Sequence, residues 1–159
     1  MSEAESRELK VDINVIGPAS HWCIRDQPQI CAGAQSVAGE LVFLHKAAGD
    51  SEVARFRSEA KRRYPSCRFQ VVPRSSSELQ AIHTQLQREN RYWAKVGDEL
   101  GLEHLGVMTE GWTGAGLHPI EGYVAVPGVP AAFVDPLNRL FEARYGLGRV
   151  VAITYGGPV

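Results

Sequence analysis

The stretch of sequence that decides the fold is residues 40–73, ELVFLHKAAGDSEVARFRSEAKRRYPSCRFQVVP. It opens with an apolar run that predicts a buried strand, and residues 49–51 supply a turn and an N-cap for a helix. Apolar side chains recur every three or four residues over about 51–64, and Pro65 ends the helix. Residues 68–73 return to a strand pattern. A strand, a helix and a strand in this order predict a mixed α/β fold.

The N-terminal part of the sequence predicts a tail, a strand and a long loop. Residues 1–8 are polar and acidic, and we expect a flexible tail there, ahead of a single α/β domain over 9–159. Residues 9–16 alternate between apolar and polar side chains, which predicts a half-buried strand. Proline and glycine punctuate residues 17–39, which predicts a long connection. Long loops inside compact domains are usually functional, so this segment is a candidate site.

The longest predicted helix covers residues 76–100. Ser75 and Glu78 stand at the spacing of a capping box, and Gly101 is a good C-terminal stop. The side chains of its apolar stripe recur at helical spacing, at Leu79, Ile82, Leu86, Trp93, Val96 and Leu100.

The C-terminal part predicts a hairpin followed by a helix and a last strand. Apolar runs at 105–110 and 122–126 predict two strands, and the glycine-rich residues 111–116 between them predict the hairpin tip. A helix follows over about 131–145. Pro136 is expected in its first turn, where a missing N–H removes no helical hydrogen bond.

The two halves of the sequence resemble each other at an offset of 81 positions, which pairs Glu40 with Glu121 and Tyr64 with Tyr145. The fold class predicted is α/β (α+β), a ferredoxin-like α/β sandwich with a mostly antiparallel sheet. That sandwich is present either once or as two pseudo-repeats joined by the long helix. The half-repeats would be residues 9–73 and 102–159.

Composition describes an ordinary folded protein of 159 residues, 44% hydrophobic and 22% charged. The sequence has no apolar run of membrane-spanning length and no signal-peptide pattern at its start, so we expect a cytoplasmic protein without membrane contacts. A chain whose signal had been removed would look the same and would be secreted. The net charge of −1 indicates that nucleic acid is not a partner.

Charge is distributed unevenly along the chain. Residues 55–74 hold seven basic side chains and one acidic one, whereas residues 98–142 hold seven acidic side chains and one basic one. The ordinary interpretation is two solvated faces on separate elements. The alternative is that the two poles steer an acidic partner, or a head-to-tail homo-oligomer, into place.

The most suggestive cluster for chemistry is His21-Trp22-Cys23, with Cys31 further along the same predicted loop. A cysteine and a histidine on a loop can act as nucleophile and base, or can share a metal ion. The spacing matches no zinc pattern, so we predict neither a metal nor another cofactor. Trp112, between glycines of the predicted hairpin tip, either packs on the core or is presented as a contact anchor.

The three cysteines Cys23, Cys31 and Cys67 leave at least one thiol unpaired. A bridge between Cys23 and Cys31 would require an oxidising compartment. Because the sequence shows no export signal, we expect reduced thiols.

From about Ser77 onward the layout resembles the pro-regions of secreted bacterial serine proteases of the alpha-lytic and streptogrisin kind. The features that carry this resemblance are a long helix, a strand pair, and a helix ending in residues 142–146 before a Val-Val strand. The resemblance implies a folding chaperone or an inhibitor that docks on a protease.

No constellation in the sequence marks a hydrolase or transferase site, so we predict no catalytic residue and favour a non-enzymatic protein, with an enzyme as the open alternative. The leading hypothesis is a non-enzymatic module that binds a protein or peptide, through a sheet edge, the 17–39 segment or Trp112. The residues we expect to take part are Trp112, Trp22, His21 and Cys23. The alternative is a domain that binds a small molecule or catalyses a reaction with His21 and Cys23.

Overall fold

The computed structural model describes residues 13–102 and 116–154. Its contacts divide the chain into two compact units. The first unit comprises residues 1–78 with 119–121, and the second comprises residues 79–118 with 122–159. None of the helices in the described ranges is both long enough and apolar enough to cross a membrane.

The first unit builds a mixed three-stranded sheet. Its strands lie in the order β1-β2-β3, with β1 antiparallel to β2 and β2 parallel to β3. Ala38 and Gly39 join β1 to β2, and both have positive φ, at 51° and 79°. Two such residues form the tight turn whose twist suits a hairpin. Its elements are α1 (Ile13–Asp26), β1 (Cys31–Val37), β2 (Glu40–Lys46), α2 (Asp50–Arg63) and β3 (Arg68–Val72).

The second unit repeats this topology after the helix α3 (Ser76–Arg88), whose first residues belong to the first unit. Its sheet has the order β4-β5-β6, with an antiparallel pair followed by a parallel pair. Its elements are α4 (Asn90–Leu100), β4 (Gly116–His118), β5 (Tyr123–Val126), α5 (Ala131–Tyr145) and β6 (Val150–Ala152).

The parallel strand pairs of the two sheets match at the offset of 81, whereas the register of the antiparallel pairs differs by two residues. His45 faces Val71 between β2 and β3, and Val126 faces Ala152 between β5 and β6. Helices α2 and α5 also begin at equivalent residues, Asp50 and Ala131. Each unit therefore consists of a helix, a hairpin, a crossover helix and a parallel strand.

Each unit has its own aromatic core, with a tryptophan from its first helix. Trp22 stacks on Phe56 with ring centroids 5.7 Å apart, and it meets the edge of Phe43 at 5.5 Å. In the second unit Trp93 packs on Phe141 at 4.6 Å. Burying such rings supplies most of the free energy that holds each unit together.

The expectations for residues 9–16 and 17–39 are wrong where the structure describes them. Helix α1 runs through both segments, and β1 follows it, so no long loop exists over 17–39. Ala19, Trp22 and Cys23 lie on one buried stripe of this helix. Their burial outweighs the cost of about 3 kcal/mol for a proline inside a helix, here Pro18.

The long helix predicted over 76–100 is two helices. Its capping box is confirmed, because the Ser75 N–H donates to Glu78 Oε1 at 3.2 Å and the Glu78 N–H donates to Ser75 Oγ at 3.4 Å. Its C-terminal stop is confirmed as well, with Gly101 in the left-handed region at φ 78°. The interruption falls at Glu89, between α3 and α4.

The C-terminal predictions need two corrections. The hairpin turn lies at residues 119–122 rather than in the glycine-rich segment, since Gly116 already belongs to β4. Pro136 lies inside α5, beyond its first turn. The predicted strand at 105–110 falls outside the described residues, as does Trp112.

The mixed α+β class is confirmed, and the strand, helix and strand predicted over 40–73 are found as β2, α2 and β3. A mostly antiparallel sheet is not found, because each sheet has one antiparallel and one parallel pair. The crossover helices cause this, since a strand that follows such a helix returns parallel to the strand before it.

Candidate functional site

The candidate site lies at an outer edge strand of the first sheet. The equivalent edge strand of the second sheet provides a comparison. An edge strand presents backbone N–H and C=O groups that can pair with another chain unless the protein covers them. Strand β3 forms the outer edge after the parallel pair of the first unit, and β6 has the same place in the second unit.

In the second unit the edge of β6 is covered by a side chain. The Ala152 N–H donates to Asn138 Oδ1 at 2.6 Å, and Asn138 Nδ2 donates to the Ala152 carbonyl at 3.4 Å. The amide of Asn138 thus satisfies both groups of one residue, as a neighbouring strand would. Asn138 acts as an edge cap.

In the first unit the corresponding cap is missing. The residue equivalent to Asn138 is Arg57, and its Nε–H donates to His45 Nε2 at 3.2 Å instead. Val71 is equivalent to Ala152, so its backbone groups point away from β2, as those of Ala152 point away from β5. Among the described residues, no hydrogen-bond partner meets the outward N–H or C=O of Val71.

The other edge of the first sheet is partly covered. Helix α1 packs along β1, and the Ser20 hydroxyl donates to the Ala34 carbonyl at 3.5 Å. The Val71 side chain, in contrast, is 55% exposed on β3. Among the described residues, no side chain hydrogen-bonds to the backbone of β3, so this is the less covered edge of the sheet.

A basic groove borders the β3 edge, which we define by Arg57, Lys61, Arg68 and Phe69. Arg57 lies over the Phe69 ring at 5.0 Å from its centroid, and Lys61 lies over the same ring at 5.8 Å. Lys61 Nζ also donates to the Cys67 carbonyl at 2.7 Å, which holds it beside the strand. This groove is a shallow surface hollow of about 660 Å³, and its lining also includes Glu40, Ser66 and Cys67.

His45 positions Arg57 from beneath. It is fully buried in β2, and its Nδ1 lies 2.9 Å from the Lys46 carbonyl, which can only accept. The proton is therefore assigned to Nδ1, and Nε2 is free to accept from Arg57. Burial lowers the pKa of His45, and the nearby Arg57 lowers it further, against the opposing effect of the Lys46 carbonyl. The neutral ring that anchors Arg57 is thus the favoured form.

A second hollow, of about 800 Å³, lies where α1 ends, and Asp26, Glu52, Arg55 and Glu59 are among the residues that line it. Of its three acidic residues, Glu59 already pairs with Arg62 and Arg63. The hydrogen bond from Arg62 lowers the pKa of Glu59 to about 2. The lining residues named for this hollow belong to no strand, and they combine three carboxylates with Arg55, so it is the weaker candidate.

The structure does not bring the predicted cysteine and histidine together. His21 is exposed on α1 with its Nε2 3.2 Å from Arg25 Nη1, whereas Cys23 and Trp22 are buried in the core. Within the described ranges, no group of three or more His, Cys, Asp or Glu side chains could hold a metal ion.

The expected reduced thiols are not found at two of the three cysteines. Cys23 in α1 and Cys31 in β1 form a disulfide, with their Cα atoms 5.5 Å apart. Helix α1 is buried against β1, and this packing brings the two cysteines together. The sequence patterns predict a loop over this segment instead. Cys67 is a free buried thiol, and desolvation raises its pKa.

Comparison with known proteins gives no neighbour. No family model, curated protein or solved structure matches the chain.

The sequence patterns did not single out Arg57 and Lys61, although two signals pointed to them. The offset of 81 aligns Arg57 with Asn138, and Lys61 with Glu142. At this helix position one repeat has a short amide side chain and the other has a long cationic one. The two repeats therefore differ in chemistry there. The basic character of residues 55–74 pointed to the same region.

Proposed function

We propose that this protein is a non-enzymatic module that binds an extended segment of another protein, which adds as a strand along β3. The observation that carries the proposal is the absent cap: Asn138 covers the edge of β6, and Arg57 leaves the equivalent edge of β3 open. In strand addition, backbone hydrogen bonds supply affinity, and neighbouring side chains supply specificity.

The geometry of β3 supports this mode of binding. Phe69 and Val71 lie two residues apart, so their outward backbone groups point the same way and can form a ladder with an added strand. The basic groove lies directly beside this ladder and can contact the side chains of the added segment. A paired edge would also shield the exposed Val71 side chain.

The alternative of a catalytic domain based on Cys23 receives no support from its surroundings. Nucleophilic catalysis needs a free thiol within hydrogen-bond reach of a base. Cys23 is buried and bonded to Cys31, and His21 is exposed on the same helix. Protein binding is therefore the better proposal.

The test transfers the natural cap from one repeat to the other. Arg57→Asn places at the β3 edge the amide that Asn138 places at β6, and we expect it to compete with an added strand. A random peptide library displayed on phage is selected on the full chain, and each selected peptide is measured by fluorescence anisotropy. We expect Arg57→Asn to weaken binding about tenfold or more, because two backbone hydrogen bonds are lost.

Two further variants make the result specific. Val71→Pro removes an outward N–H of β3, which an edge strand tolerates, and it should also weaken binding several-fold because one backbone hydrogen bond is lost. Arg55→Asn, on an exposed position of the same helix, should leave binding and melting temperature unchanged. Selected peptides that bind Val71→Pro and Arg57→Asn as well as the unmodified chain would refute strand addition at β3.

A further inference from the structure

We infer that the strand accepted by β3 is acidic, with carboxylate side chains at alternate positions. This inference rests on the proposed function of the β3 edge and names the chemical class of its partner.

The charge balance of the basic groove carries the inference. Arg68 already pairs with Glu40 at 2.7 Å. Arg57 and Lys61 have no carboxylate partner among the described residues, and both lie over the neutral ring of Phe69. Two cations held beside an open backbone edge attract an anionic strand and repel a cationic one.

The spacing of the two cations matches alternate residues of a strand. Arg57 and Lys61 are four residues apart on α2, which places them about 6 Å apart along the helix. Side chains on one face of a strand recur every second residue, about 6.6 Å apart. An added segment with Glu or Asp at every second position therefore presents one carboxylate to each cation.

The second unit shows that this charge is not a general property of the repeat. The residues equivalent to Arg57 and Lys61 are Asn138 and Glu142. The second unit, in which Asn138 caps the edge strand, thus has neither cation. The first unit, in which the equivalent edge has no such cap, has both. The open edge and the positive charge occur together, as expected if one ligand uses them both.

The experiment compares three synthetic peptides that differ only in charge. Each alternates threonine with a second residue, which is glutamate, glutamine or lysine. Anisotropy should show the glutamate peptide binding about fivefold more tightly than the glutamine peptide at low salt, and the lysine peptide not binding. The preference should shrink in about 1 M salt, where the screening length is about 3 Å.

Matched variants test which cation is used. Lys61→Met keeps most of the aliphatic stem and removes the charge, and it should reduce the preference for glutamate over glutamine about twofold. Arg55→Met removes a charge from another side of the same helix and should leave the preference unchanged. A glutamate peptide of the same composition with its carboxylates adjacent should bind more weakly than the alternating one.

The outcomes separate this inference from the proposed function. Equal binding of glutamate and glutamine peptides, with the Val71 amide protected from hydrogen exchange in both complexes, would overturn the acidic preference and leave strand addition standing. Equal binding of the alternating and adjacent peptides would show unspecific charge attraction and would overturn the inference. If no peptide binds or protects Val71, both proposals fail.

Discussion

His45 shows how a single buried side chain can set the chemistry of a surface. Both of its ring nitrogens have partners, the Lys46 carbonyl on one side and Arg57 on the other. Phe56 and Phe69 pack around the ring, with centroids 5.4 Å and 6.0 Å away. A protonated ring would lose its acceptor for Arg57 and would place two cations together.

We expect His45 to make the protein less stable in mild acid. Its pKa in the folded state is below the ordinary value of 6.5, so the unfolded chain takes up the proton first as the pH falls. The stability gained from the neutral ring is complete above the unfolded pKa, and it is lost as the pH falls through the folded pKa. Urea unfolding between pH 7 and pH 5 should show a shallower loss for His45→Gln than for the unmodified chain. Equal slopes would contradict this account.

Tyr145 and Tyr64 occupy equivalent positions in the two units, but their hydroxyl groups differ in their contacts. The Trp93 Nε1–H donates to the Tyr145 hydroxyl at 2.6 Å inside the core of the second unit. Desolvation and the neighbouring Glu89 raise the pKa of Tyr145 to about 12. Tyr64 contacts the Phe43 ring at 5.8 Å, and no hydrogen bond of its hydroxyl is seen among the described residues.

Replacing each tyrosine by phenylalanine tests this difference. Tyr145→Phe leaves a buried indole N–H without its acceptor, and we expect a loss of about 1–3 kcal/mol in the free energy of unfolding. Tyr64→Phe removes no such acceptor and should change stability by less than about 0.5 kcal/mol. Chemical denaturation of both variants provides the measurement, and similar losses at the two positions would argue against the buried hydrogen bond.

At the scale of elements, the outer edges of β3 and β6 can be compared, because these strands occupy equivalent places in the two units. Strands β3 and β6 share their register with the strand beside them, and of their residues Ala152 in β6 has its outward groups covered by a side chain of its crossover helix, whereas the equivalent Val71 in β3 does not. A short amide on the helix can cap a strand, whereas a long cation held by histidine cannot.

Hydrogen exchange measured by NMR should reveal this difference without any ligand. We expect the Ala152 amide to exchange at least about tenfold more slowly than the Val71 amide, because Asn138 accepts a hydrogen bond from the former and no described residue accepts one from the latter. Asn138→Ala should remove most of the protection of Ala152 and leave Val71 unchanged. Slow exchange at Val71 in the free protein would mean that its edge is already covered.

The disulfide belongs to the same scale, because it joins α1 to β1 across a separation of eight residues. Closing a loop of this length lowers the entropy of the unfolded chain and contributes about 2.6 kcal/mol to stability. It therefore fastens the first helix of the first unit to its sheet.

At the scale of the molecule, the chain holds two units of one topology with different edges. The offset of 81 visible in the sequence is the spacing between equivalent residues of their parallel strand pairs and crossover helices. Because the chain has two units of this topology, one unit can have a capped edge strand while the equivalent strand of the other lacks this cap. Association of copies through opposite charge poles stays a prediction, as does the resemblance to protease pro-regions.

Several elements could be predicted from the sequence because local patterns decide them. The apolar run of β2, the apolar spacing of α2 and the capping box at Ser75 act between neighbouring residues, and the structure keeps all three. The helix α1 could not be predicted in this way. Pro18 favours a loop locally, and only the burial of Ala19 and Trp22 against the sheet overcomes that preference.

The sequence by itself determined the mixed α/β class, the repeat spacing and the basic character of residues 55–74. Tertiary structure alone decided that Cys23 meets Cys31, that His45 holds Arg57, and that no described residue covers the outward groups of Val71 on β3. The physical reason is the separation in sequence between the residues that interact. Helix caps and strand alternation depend on residues a few positions apart, whereas an edge is open or closed according to which side chain, distant in sequence, reaches its backbone.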